Sequence, residues 1–235
     1  MKAIILAGGR GKRLRPITDY VPKPLIPINN IPIIEWQIKY LKKHGISEVI
    51  VCSGYKTEMI ENYLENKKLG VKITFSIENK PLGTGGAIKK AGKKIKDNSF
   101  IVINGDIITN IDLKKLVKKE NSIASIQLRT KFGILQTDEN KIIKFDEKKE
   151  IIDLWMNAGI YHLKKEILKE LPNVGDIEKT LFPDYAKKEK LSTVKFRNTK
   201  WYSIDSYKDI EEIGLWILCT GSMQCNHHVC YFLNK

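Results

Sequence analysis

A glycine-rich segment that follows a short apolar run carries the strongest chemical signal in the sequence. Residues 6–18 read LAGGRGKRLRPIT, with glycine at positions 8, 9 and 11. Because glycine has no Cβ, the backbone N–H groups of Gly8, Gly9 and Gly11 can close around the oxygens of a phosphate group. Arg13 adds a positive charge within the same segment. The pattern therefore predicts a phosphate-binding loop.

The spacing of this loop differs from two common nucleotide-binding motifs. A dinucleotide fingerprint that used Gly9 and Gly11 would need a third glycine at position 14, where the chain has Leu14. A Walker loop that ended at Gly11 and Lys12 would need a glycine five positions before Gly11 and a Ser or Thr after Lys12, and the chain has neither. The loop is therefore expected to bind phosphate in another setting.

A lysine held between two prolines is the second chemical signal. Pro22, Lys23 and Pro24 begin the segment PKPLIP. The pyrrolidine rings fix the φ angles on both sides of the lysine and make the segment stiff. A rigidly mounted cation suits the stabilisation of negative charge at a phosphoryl group. We therefore expect Lys23 to act on a phosphate.

Alternating strand and helix patterns in the first 110 residues predict a largely parallel sheet that would position these motifs. Short β-branched runs predict strands at 2–7, 48–53, 72–77 and 100–104, and apolar residues at three- and four-residue spacing predict helices at 33–44, 57–66 and 86–92. Such sheets bind ligands beyond the carboxyl ends of their strands. The glycine loop and Asn104-Gly105-Asp106 each follow a strand, so both are expected at this edge.

The second half of the chain changes pattern but shows no linker. Strands are predicted at 123–129, 133–136, 142–146, 153–162 and 193–196, with a helix at 176–187. No proline- or glycine-rich stretch separates the halves. The sequence therefore predicts one domain over 1–215, followed by a short tail over 216–235.

Composition narrows the class of partner. The chain has 235 residues, 42% of them hydrophobic, and a net charge of +14, which favours anionic ligands. The excess lysines lie along predicted helices without interleaved arginine and aromatic residues, which argues against a nucleic-acid surface. No apolar stretch reaches the roughly 18 residues that a membrane span requires, so a cytoplasmic location is expected by default.

The two motifs together resemble the signature of the nucleotide-sugar pyrophosphorylases, or sugar-1-phosphate nucleotidyltransferases. That signature, Gly-Gly-x-Gly-x-Arg-Leu-x-Pro-x-Thr followed by Pro-Lys-Pro, is matched at Gly8, Gly9, Gly11, Arg13, Leu14, Pro16, Thr18 and Pro22-Lys23-Pro24. The resemblance implies an α/β fold: a Rossmann-like three-layer sandwich with a mixed, mainly parallel central sheet, the nucleotide-diphospho-sugar transferase fold. It also implies transfer of a nucleotidyl group from a nucleoside triphosphate to a sugar 1-phosphate, with release of pyrophosphate.

The resemblance extends over most of the chain and implies a role for each matched residue. Segment 78–87 is similar to the family's base-binding loop, and segments 132–133, 147–148 and 157–161 are similar to its sugar-contacting segments. The implied nucleotide-binding residues are Leu6, Ala7, Gly8, Gly9, Gly11, Pro81, Gly83 and Thr84. The implied sugar-phosphate-binding residues are Gly133, Glu147, Lys148, Asn157 and Gly159. The implied catalytic residues are Arg13, Lys23 and Asp106, and Mg²⁺ would be held by Asp106 and Asp205.

The chemistry implied by the resemblance needs no protein nucleophile. A sugar phosphate is already an anionic nucleophile at neutral pH, so the protein has to position two substrates and neutralise charge. We expect the sugar-phosphate oxygen to attack the α-phosphorus in line while pyrophosphate departs on the far side. A homodimer is compatible with this reading.

Two segments bear on the identity of the substrates. Thymidylyl-transferring relatives usually have Lys-Gln-Leu where this chain has Lys23-Pro24-Leu25, and Gly-Leu-Ala in the region of 82–85. The chain is more similar to the guanylyl-transferring branch that acts on mannose or heptose phosphates. Uridylyl or thymidylyl transfer to glucose 1-phosphate stays an alternative, as does a cytidylyltransferase for a non-sugar alcohol phosphate.

Rivals from other classes are a catalytically silent regulatory subunit and a nucleic-acid-binding protein. The joint presence of Arg13, Lys23, Asp106 and Asp205 argues against the silent subunit. Three of the four cysteines lie in the last seventeen residues with two histidines, yet their spacing fits no common zinc pattern, so the tail is not expected to hold a metal. The fourth, Cys52, is expected to be a core thiol.

Overall fold

The computed structural model describes residues 1–130, 132–147 and 150–220. The strands are β1 (Lys2–Leu6), β2 (Pro27–Ile28), β3 (Ile31–Pro32), β4 (Glu48–Ser53), β5 (Lys72–Ile77), β6 (Ser99–Asn104), β7 (Ile107–Thr109), β8 (Ser122–Arg129), β9 (Ile134–Asp138), β10 (Lys141–Asp146), β11 (Glu150–Lys164), β12 (Ser192–Phe196) and β13 (Trp201–Ser203). The helices are α1 (Ile17–Tyr20), α2 (Ile33–Lys43), α3 (Thr57–Glu65), α4 (Gly83–Gly92), α5 (Leu113–Leu116), α6 (Leu181–Lys187) and α7 (Tyr207–Thr220).

A seven-stranded sheet in the order β12-β8-β11-β6-β1-β4-β5 forms the centre of the molecule. The neighbours β6, β1, β4 and β5 run parallel, and β12 runs parallel to β8. Strand β11 runs antiparallel to both β6 and β8. The predicted mixed, mainly parallel sheet is therefore confirmed, and the carboxyl ends of the four parallel strands meet at one edge.

Alternating side chains of β1 bury on opposite faces of this sheet and produce the three layers. Ala3 and Ile5 pack on one face with apolar residues of α2 and α3. Ile4 packs on the other face with apolar residues of α4 and α6. Full burial of an isoleucine side chain such as Ile4 or Ile5 stabilises the fold by about 1.5–3 kcal/mol. A strand with both faces covered needs the continuous apolar run seen here, because it presents no face to water.

A third apolar cluster holds the segments that border the carboxyl edge. Leu14 of the glycine loop and Ile26 after the lysine motif are each 1% exposed and pack with Ile204 and Ile213. Ile213 belongs to α7, which continues through Thr220 and so crosses the expected domain boundary at residue 215. The last described helix therefore helps to fix the two segments that carry the predicted chemistry.

Two helices begin at residues other than those predicted, and both differences have the same cause. Helix α4 begins at Gly83 rather than at residue 86, and α6 begins at Leu181 rather than at residue 176. The segment before α6 instead supplies Gly175, whose carbonyl accepts hydrogen bonds from Gly85 and Gly86 at 2.9 and 3.3 Å. A contact between segments far apart in sequence thus overrides the local helix pattern.

Within the described ranges, no helix combines the length and the apolar character needed to cross a bilayer.

Candidate active site

A cleft of about 450 Å³ opens at the carboxyl edge of the sheet. It brings together every predicted nucleotide-binding residue: Leu6, Ala7, Gly8, Gly9, Gly11, Pro81, Gly83 and Thr84. The predicted catalytic residues Arg13, Lys23 and Asp106 line the same cleft, as does Asp205. Segments from six separate parts of the chain therefore converge on one volume large enough for a small ligand.

The glycine loop is held in place by hydrogen bonds at its carboxyl-terminal end. Gly11 has φ +60°, a left-handed conformation that favours glycine, and its carbonyl accepts hydrogen bonds from Leu14 N at 2.9 Å and Thr18 Oγ1 at 3.0 Å. Leu14 is buried. These contacts anchor the loop through the residues that follow Gly11. Gly8 and Gly9 line the cleft, where their backbone N–H groups are expected to meet phosphate oxygens.

Lys23 lies between the two carboxylates that the sequence predicts as metal ligands. Its Nζ atom is 2.7 Å from Asp106 Oδ2 and 3.0 Å from Asp205 Oδ1. Arg13 contacts the same Asp205 oxygen at 2.9 Å, although its side chain is 73% exposed. Two cations and two anions therefore share one corner of the cleft.

A short ribbon explains why Asp106 and Asp205 converge. Strand β7 begins directly after Asp106, β13 ends at Ser203 just before Asp205, and the two strands pair antiparallel with Ile107 opposite Ser203. The Ile204 N–H also donates to the Asp106 carbonyl at 3.0 Å. In an antiparallel pair, residues beyond the same end of the ribbon are neighbours. The ribbon thus sets the carboxylates side by side.

The turn that carries Asp106 is fixed on two sides. Gly105 donates its N–H to the Leu6 carbonyl at 2.9 Å, and a Cβ at this position would lie 2.3 Å from that oxygen. The buried Gln37 of α2 donates from Nε2 to the carbonyls of Asn104 and Ile107, at 2.8 and 2.9 Å. These contacts lie on both sides of Asp106 and fix its position relative to the edge of the sheet.

The amino end of α4 is closed by protein groups. Besides the Gly175 carbonyl on Gly85 and Gly86, the Asp176 carboxylate accepts from Thr84 N at 3.4 Å. A helix amino terminus attracts anions only while its N–H groups are available. Phosphate binding in this cleft is therefore expected at the glycine loop rather than at the amino end of α4.

Glu78 lies in the segment that is similar to the family's base-binding loop, but the sequence analysis assigned it no role of its own. Its Oε2 accepts from Leu82 N at 3.1 Å, and its Oε1 lies 3.1 Å from where a Gly8 Cβ would stand. Burial raises the pKa of the Glu78 carboxyl above its ordinary value, against the Leu82 hydrogen bond and the Lys90 charge, which lower it. A half-buried carboxylate between the glycine loop and the Pro81–Thr84 loop is suited to accept N–H groups of a ligand.

Other cleft residues were missed for different reasons. Asn104 and Lys12 stand inside recognised motifs without an assigned role, whereas Asp176 lies in a segment that gave no chemical signal. The Asn104 Oδ1 atom is buried and has no hydrogen-bond partner among the described residues. A buried acceptor of this kind indicates a site completed by a ligand, an ion or water.

None of the predicted sugar-contacting residues that the structure describes is among the residues that line the cleft, and two of them, Asn157 and Gly159, adjoin it. Gly159 has φ +68°, and a Cβ there would lie 2.7 Å from Asn104 Nδ2. Asn157 Oδ1 accepts from Gly159 N at 2.8 Å, so this pair adjoins the cleft through Asn104. Gly133 is close to Glu147, whose Oε2 would be 3.1 Å from a Cβ at that glycine. Lys148 lies outside the described residues.

The donors at the Asp106–Asp205 corner fit a hard divalent cation. In the described ranges, no cluster of three or more His, Cys, Asp or Glu side chains forms a complete protein cage. Mg²⁺ does not need one, because it is usually held by one or two carboxylates and keeps waters or substrate phosphates as its other ligands. Two neighbouring carboxylates match that donor set. The tail cysteines beyond residue 220 lie outside the described residues, and Cys52 is buried, as expected.

Comparison with known proteins agrees with this geometry. Residues 2–217 match the Nucleotidyl transferase family. A D-glycero-alpha-D-manno-heptose 1-phosphate guanylyltransferase of Aneurinibacillus thermoaerophilus is 42% identical over 177 residues, covering 72% of this chain and 77% of the relative. The protein of the same name from Campylobacter jejuni is 42% identical over 201 residues, covering 83% and 84%.

A solved structure gives the same result for the fold. HddC from Yersinia pseudotuberculosis, complexed with GMP-PN, is 29% identical to this chain, with a TM-score of 0.71 over 90% of this chain and 96% of HddC. The match to the Nucleotidyl transferase family extends from β1 into α7 and includes every segment that borders the cleft. The chain therefore belongs to the Nucleotidyl transferase family and has that family's nucleotide-sugar pyrophosphorylase signature.

Proposed function

We propose that this enzyme transfers a guanylyl group from GTP to a heptose or mannose 1-phosphate, forming a GDP-sugar and pyrophosphate. The observation that carries the proposal is the position of Lys23. Its amine contacts both Asp106 and Asp205 in the cleft that the glycine loop also lines. Similarity to guanylyltransferases that act on heptose 1-phosphate supports the choice of both substrates.

The triphosphate is bound by the glycine loop. The backbone around Gly8, Gly9 and Gly11 lines the cleft and offers N–H donors, and Arg13 supplies a cation that is largely exposed and able to follow the phosphates. Since the amino end of α4 is already capped by Gly175 and Asp176, the loop is the backbone element suited to this task. Without a ligand, Arg13 pairs with Asp205 at 2.9 Å, and its exposure leaves it free to exchange that partner for a phosphate.

Glu78 is the group best suited to select the base. Guanine presents adjacent N1–H and N2–H donors, and a carboxylate, which only accepts hydrogen bonds, can pair with both. Uracil and thymine present one N–H between two carbonyl oxygens, which would face the carboxylate unfavourably. A site built to hydrogen-bond one ligand discriminates strongly against analogues that leave its polar groups unpaired. Glu78 therefore favours guanine over a pyrimidine base.

The transfer step needs no protein acid or base. An oxygen of the sugar phosphate forms a bond to the α-phosphorus of GTP, and the bond from that phosphorus to the bridging oxygen of the β-phosphate breaks. The electron pair leaves with pyrophosphate, and no proton has to move. Lys23 is positioned to stabilise the negative charge that builds on the α-phosphate oxygens, because two carboxylates and two prolines orient its amine.

Mg²⁺ is the cofactor that suits the acidic corner. Asp106 and Asp205 would hold it, and Asn104 Oδ1 is a neighbouring buried acceptor that a water ligand could satisfy. When bound, the ion would neutralise phosphate charge and help to align both substrates.

A grid of substrates tests the proposed function. Pyrophosphate release is measured with GTP, UTP, dTTP, CTP and ATP, each against heptose, mannose and glucose 1-phosphates and phosphocholine, with Mg²⁺ present. GTP with heptose or mannose 1-phosphate is expected to be fastest. UTP or dTTP with glucose 1-phosphate as the best pair would favour the pyrimidine alternative, and phosphocholine with CTP would favour the cytidylyltransferase. Inactivity across the grid would exclude the enzyme class proposed here.

A cytoplasmic location and a homodimer are also part of the proposal. A reaction that consumes a nucleoside triphosphate suits the cytoplasm. Ile143 and Phe145 on the β9–β10 hairpin are 65% and 61% exposed, and exposed apolar side chains of this size favour burial against another protein surface. Light scattering of the purified chain measures the dimer, and cell fractionation measures the location.

A further inference from the structure

A chain of hydrogen bonds connects the two sides of the cleft through Glu178. Thr84 Oγ1 donates to Glu178 Oε2 at 2.5 Å, and Tyr161 Oη donates to Glu178 Oε1 at 2.9 Å. Thr84 belongs to the predicted nucleotide loop, whereas Tyr161 belongs to β11, the strand that carries the predicted sugar-contacting residues Asn157 and Gly159. Both oxygens of one carboxylate are therefore engaged by opposite halves of the site.

The connection continues from Tyr161 to the sugar side. Asn157 Nδ2 donates to Tyr161 Oη at 2.9 Å, and Asn157 Oδ1 accepts from Gly159 N at 2.8 Å. These two contacts fix both ends of the Asn157 amide, at a point where the pairing of β11 with β8 shifts register. Asn157 is exposed, while Tyr161 beneath it is fully buried. The orientation of an exposed polar side chain is thus set by a buried phenol.

The nucleotide end of the connection is equally specific. Thr84 Oγ1 donates to Glu178 and accepts from Ile177 N at 3.0 Å. The Thr84 hydroxyl therefore donates one hydrogen bond to the segment that closes the amino end of α4 and accepts another from it. A ligand that orders the Pro81–Thr84 loop will also order Glu178, because the short Thr84–Glu178 contact has little freedom.

The Tyr161 phenol acts as a donor toward Glu178 at any ordinary pH. Burial raises the pKa of the Tyr161 hydroxyl above its usual range, and the Glu178 carboxylate beside it raises the pKa further. The phenol therefore stays protonated. Glu178 itself is not among the residues found to line the cleft in the described part of the chain. Any effect of Glu178 on the substrates must pass through Thr84 and Tyr161.

We propose that Glu178 is a positioning residue that couples the nucleotide loop to the sugar-binding strand, so that each substrate promotes binding of the other. The inference rests on the proposed function, because it takes Thr84 and Asn157 to contact the nucleotide and the sugar phosphate. The coupling is reciprocal, since two ligands that share one ordered network must affect each other equally. Glu178 thus contributes to specificity, because the hydrogen-bond network becomes fully ordered only when both substrates are bound.

Two variants cut the connection with little change in shape. Glu178→Gln keeps the size of the side chain but can accept from only one of the two hydroxyls. Tyr161→Phe removes only the hydroxyl, which joins Glu178 to Asn157 and also contacts the cleft residue Asn104. Matched controls come from a second Tyr–Glu pair in the same apolar layer, in which Tyr185 Oη donates to Glu170 Oε1 at 2.7 Å. Glu170→Gln and Tyr185→Phe make the same chemical changes outside the connection.

The experiment measures the dissociation constant of the sugar 1-phosphate with and without a saturating non-hydrolysable GTP analogue. The sugar is the one that gives the fastest wild-type turnover. In the wild type and both control variants, the analogue should tighten sugar-phosphate binding roughly fivefold or more, the lower range of allosteric coupling. In Glu178→Gln and Tyr161→Phe the ratio should approach one, and the double variant should add little because both changes interrupt one path.

The kinetic readout distinguishes positioning from a purely structural role. Glu178→Gln should raise the KM of the sugar phosphate roughly tenfold, the order of effect expected for losing one hydrogen bond to a charged group. Nucleotide binding alone should stay within about twofold. A lower Tm with unchanged coupling would overturn the proposal, as would equal loss of coupling in the Tyr185 and Glu170 variants. Wild-type enzyme that is inactive with every sugar phosphate would instead overturn the proposed function and this inference with it, whereas an active wild type isolates the test of Glu178.

Discussion

The Lys23 amine donates a 2.7 Å hydrogen bond to Asp106 across 83 residues of sequence. The same amine reaches Asp205 at 3.0 Å, across 182 residues. The lysine is only 13% exposed, so its charge is both shielded from water and held by two anions. A cation in this setting is oriented before a substrate arrives, which is the condition for strong electrostatic stabilisation of a transition state.

Lys23→Ala should lower kcat roughly 10²–10³-fold, the usual effect of removing one preorganised group from a developing charge. Binding of the GTP analogue should weaken much less, because the glycine loop and Arg13 remain. Steady-state kinetics and calorimetry separate the two quantities. Lys2→Ala provides a control, since Lys2 also pairs with a carboxylate, Glu48 at 3.0 Å, but at the opposite end of β1. Near-normal kcat in Lys23→Ala would remove this lysine from the mechanism.

Asp106→Asn and Asp205→Asn should each lower Mg²⁺-dependent turnover at least about a hundredfold, because each removes a charge at the reacting centre. If both residues hold one ion, the double variant should be little worse than either single variant, since parts of one unit are strongly non-additive. Turnover is measured as a function of Mg²⁺ concentration for all three. The N-cap variant Asp112→Asn, which keeps a good capping residue, should behave as wild type. Losses that multiply in the double variant would indicate separate roles.

Gly9→Ala tests whether the loop backbone meets a ligand. A Cβ at Gly9 has nothing within 4 Å, so the free protein can accommodate the methyl group. The Tm should therefore stay within about 2–4 °C of wild type, the shift that 1 kcal/mol produces in a chain of this size. The KM for GTP should nevertheless rise, because the methyl group obstructs phosphate at the N–H groups. Gly105→Ala is the contrasting variant, in which the clash with Leu6 O should lower the Tm itself. An unchanged KM in Gly9→Ala would place the phosphates elsewhere.

Local patterns were sufficient to predict the elements that carry the site but not the contacts that join them. The glycine loop and the Lys23 segment are recognisable because their chemistry lies within a few adjacent residues, and short β-branched runs located β1, β4, β5 and β6. The pairing of β7 with β13 was not predicted, since three-residue strands have too little pattern to register. The convergence of Asp106 and Asp205 was therefore available only from the resemblance to a family.

Residues that act through distant partners were the ones missed. Asp176 and Glu178 stand in a charged stretch whose pattern predicts a helix, and their roles depend on α4, about ninety residues earlier. Gln37 has the sequence context of an ordinary helix residue, yet it bridges two carbonyls beside Asp106. No property of a single segment distinguishes such residues, because their partners are chosen by the packing of the whole sheet.

Glu78→Gln should change the base preference of the enzyme. A glutamine has a single accepting oxygen and presents an N–H₂ donor in place of the second carboxylate oxygen. Guanine therefore loses one partner, whereas uracil and thymine gain a donor for a carbonyl oxygen. We expect kcat/KM to fall for GTP and to rise relative to it for UTP and dTTP. A ratio of GTP to UTP that does not change would show that Glu78 does not read the base.

The same substitution should stabilise the free protein at neutral pH. Burial raises the pKa of Glu78 in the folded state above its ordinary value of 4.5, so the ionised carboxylate opposes folding as pH rises through that range. Glu78→Gln removes this penalty, and the gain in the free energy of unfolding should disappear below about pH 4, where both states bind the proton. Thermal unfolding from pH 4 to pH 8, without ligand, measures the gain.

Glu35→Gln is the matched control with the opposite sign. Burial raises the pKa of Glu35, but hydrogen bonds from Lys39 and Tyr63 outweigh it, and the net shift is downward. Its ionised form therefore stabilises the fold above the ordinary pKa, and this contribution is lost as pH falls through the lower folded-state value. Glu35→Gln should lower the Tm at pH 7 and approach wild type in acid, whereas Glu78→Gln should raise it at pH 7. Parallel behaviour of the two variants would contradict the assignment of Glu78 as a carboxylate held at a cost to stability for the sake of its ligand.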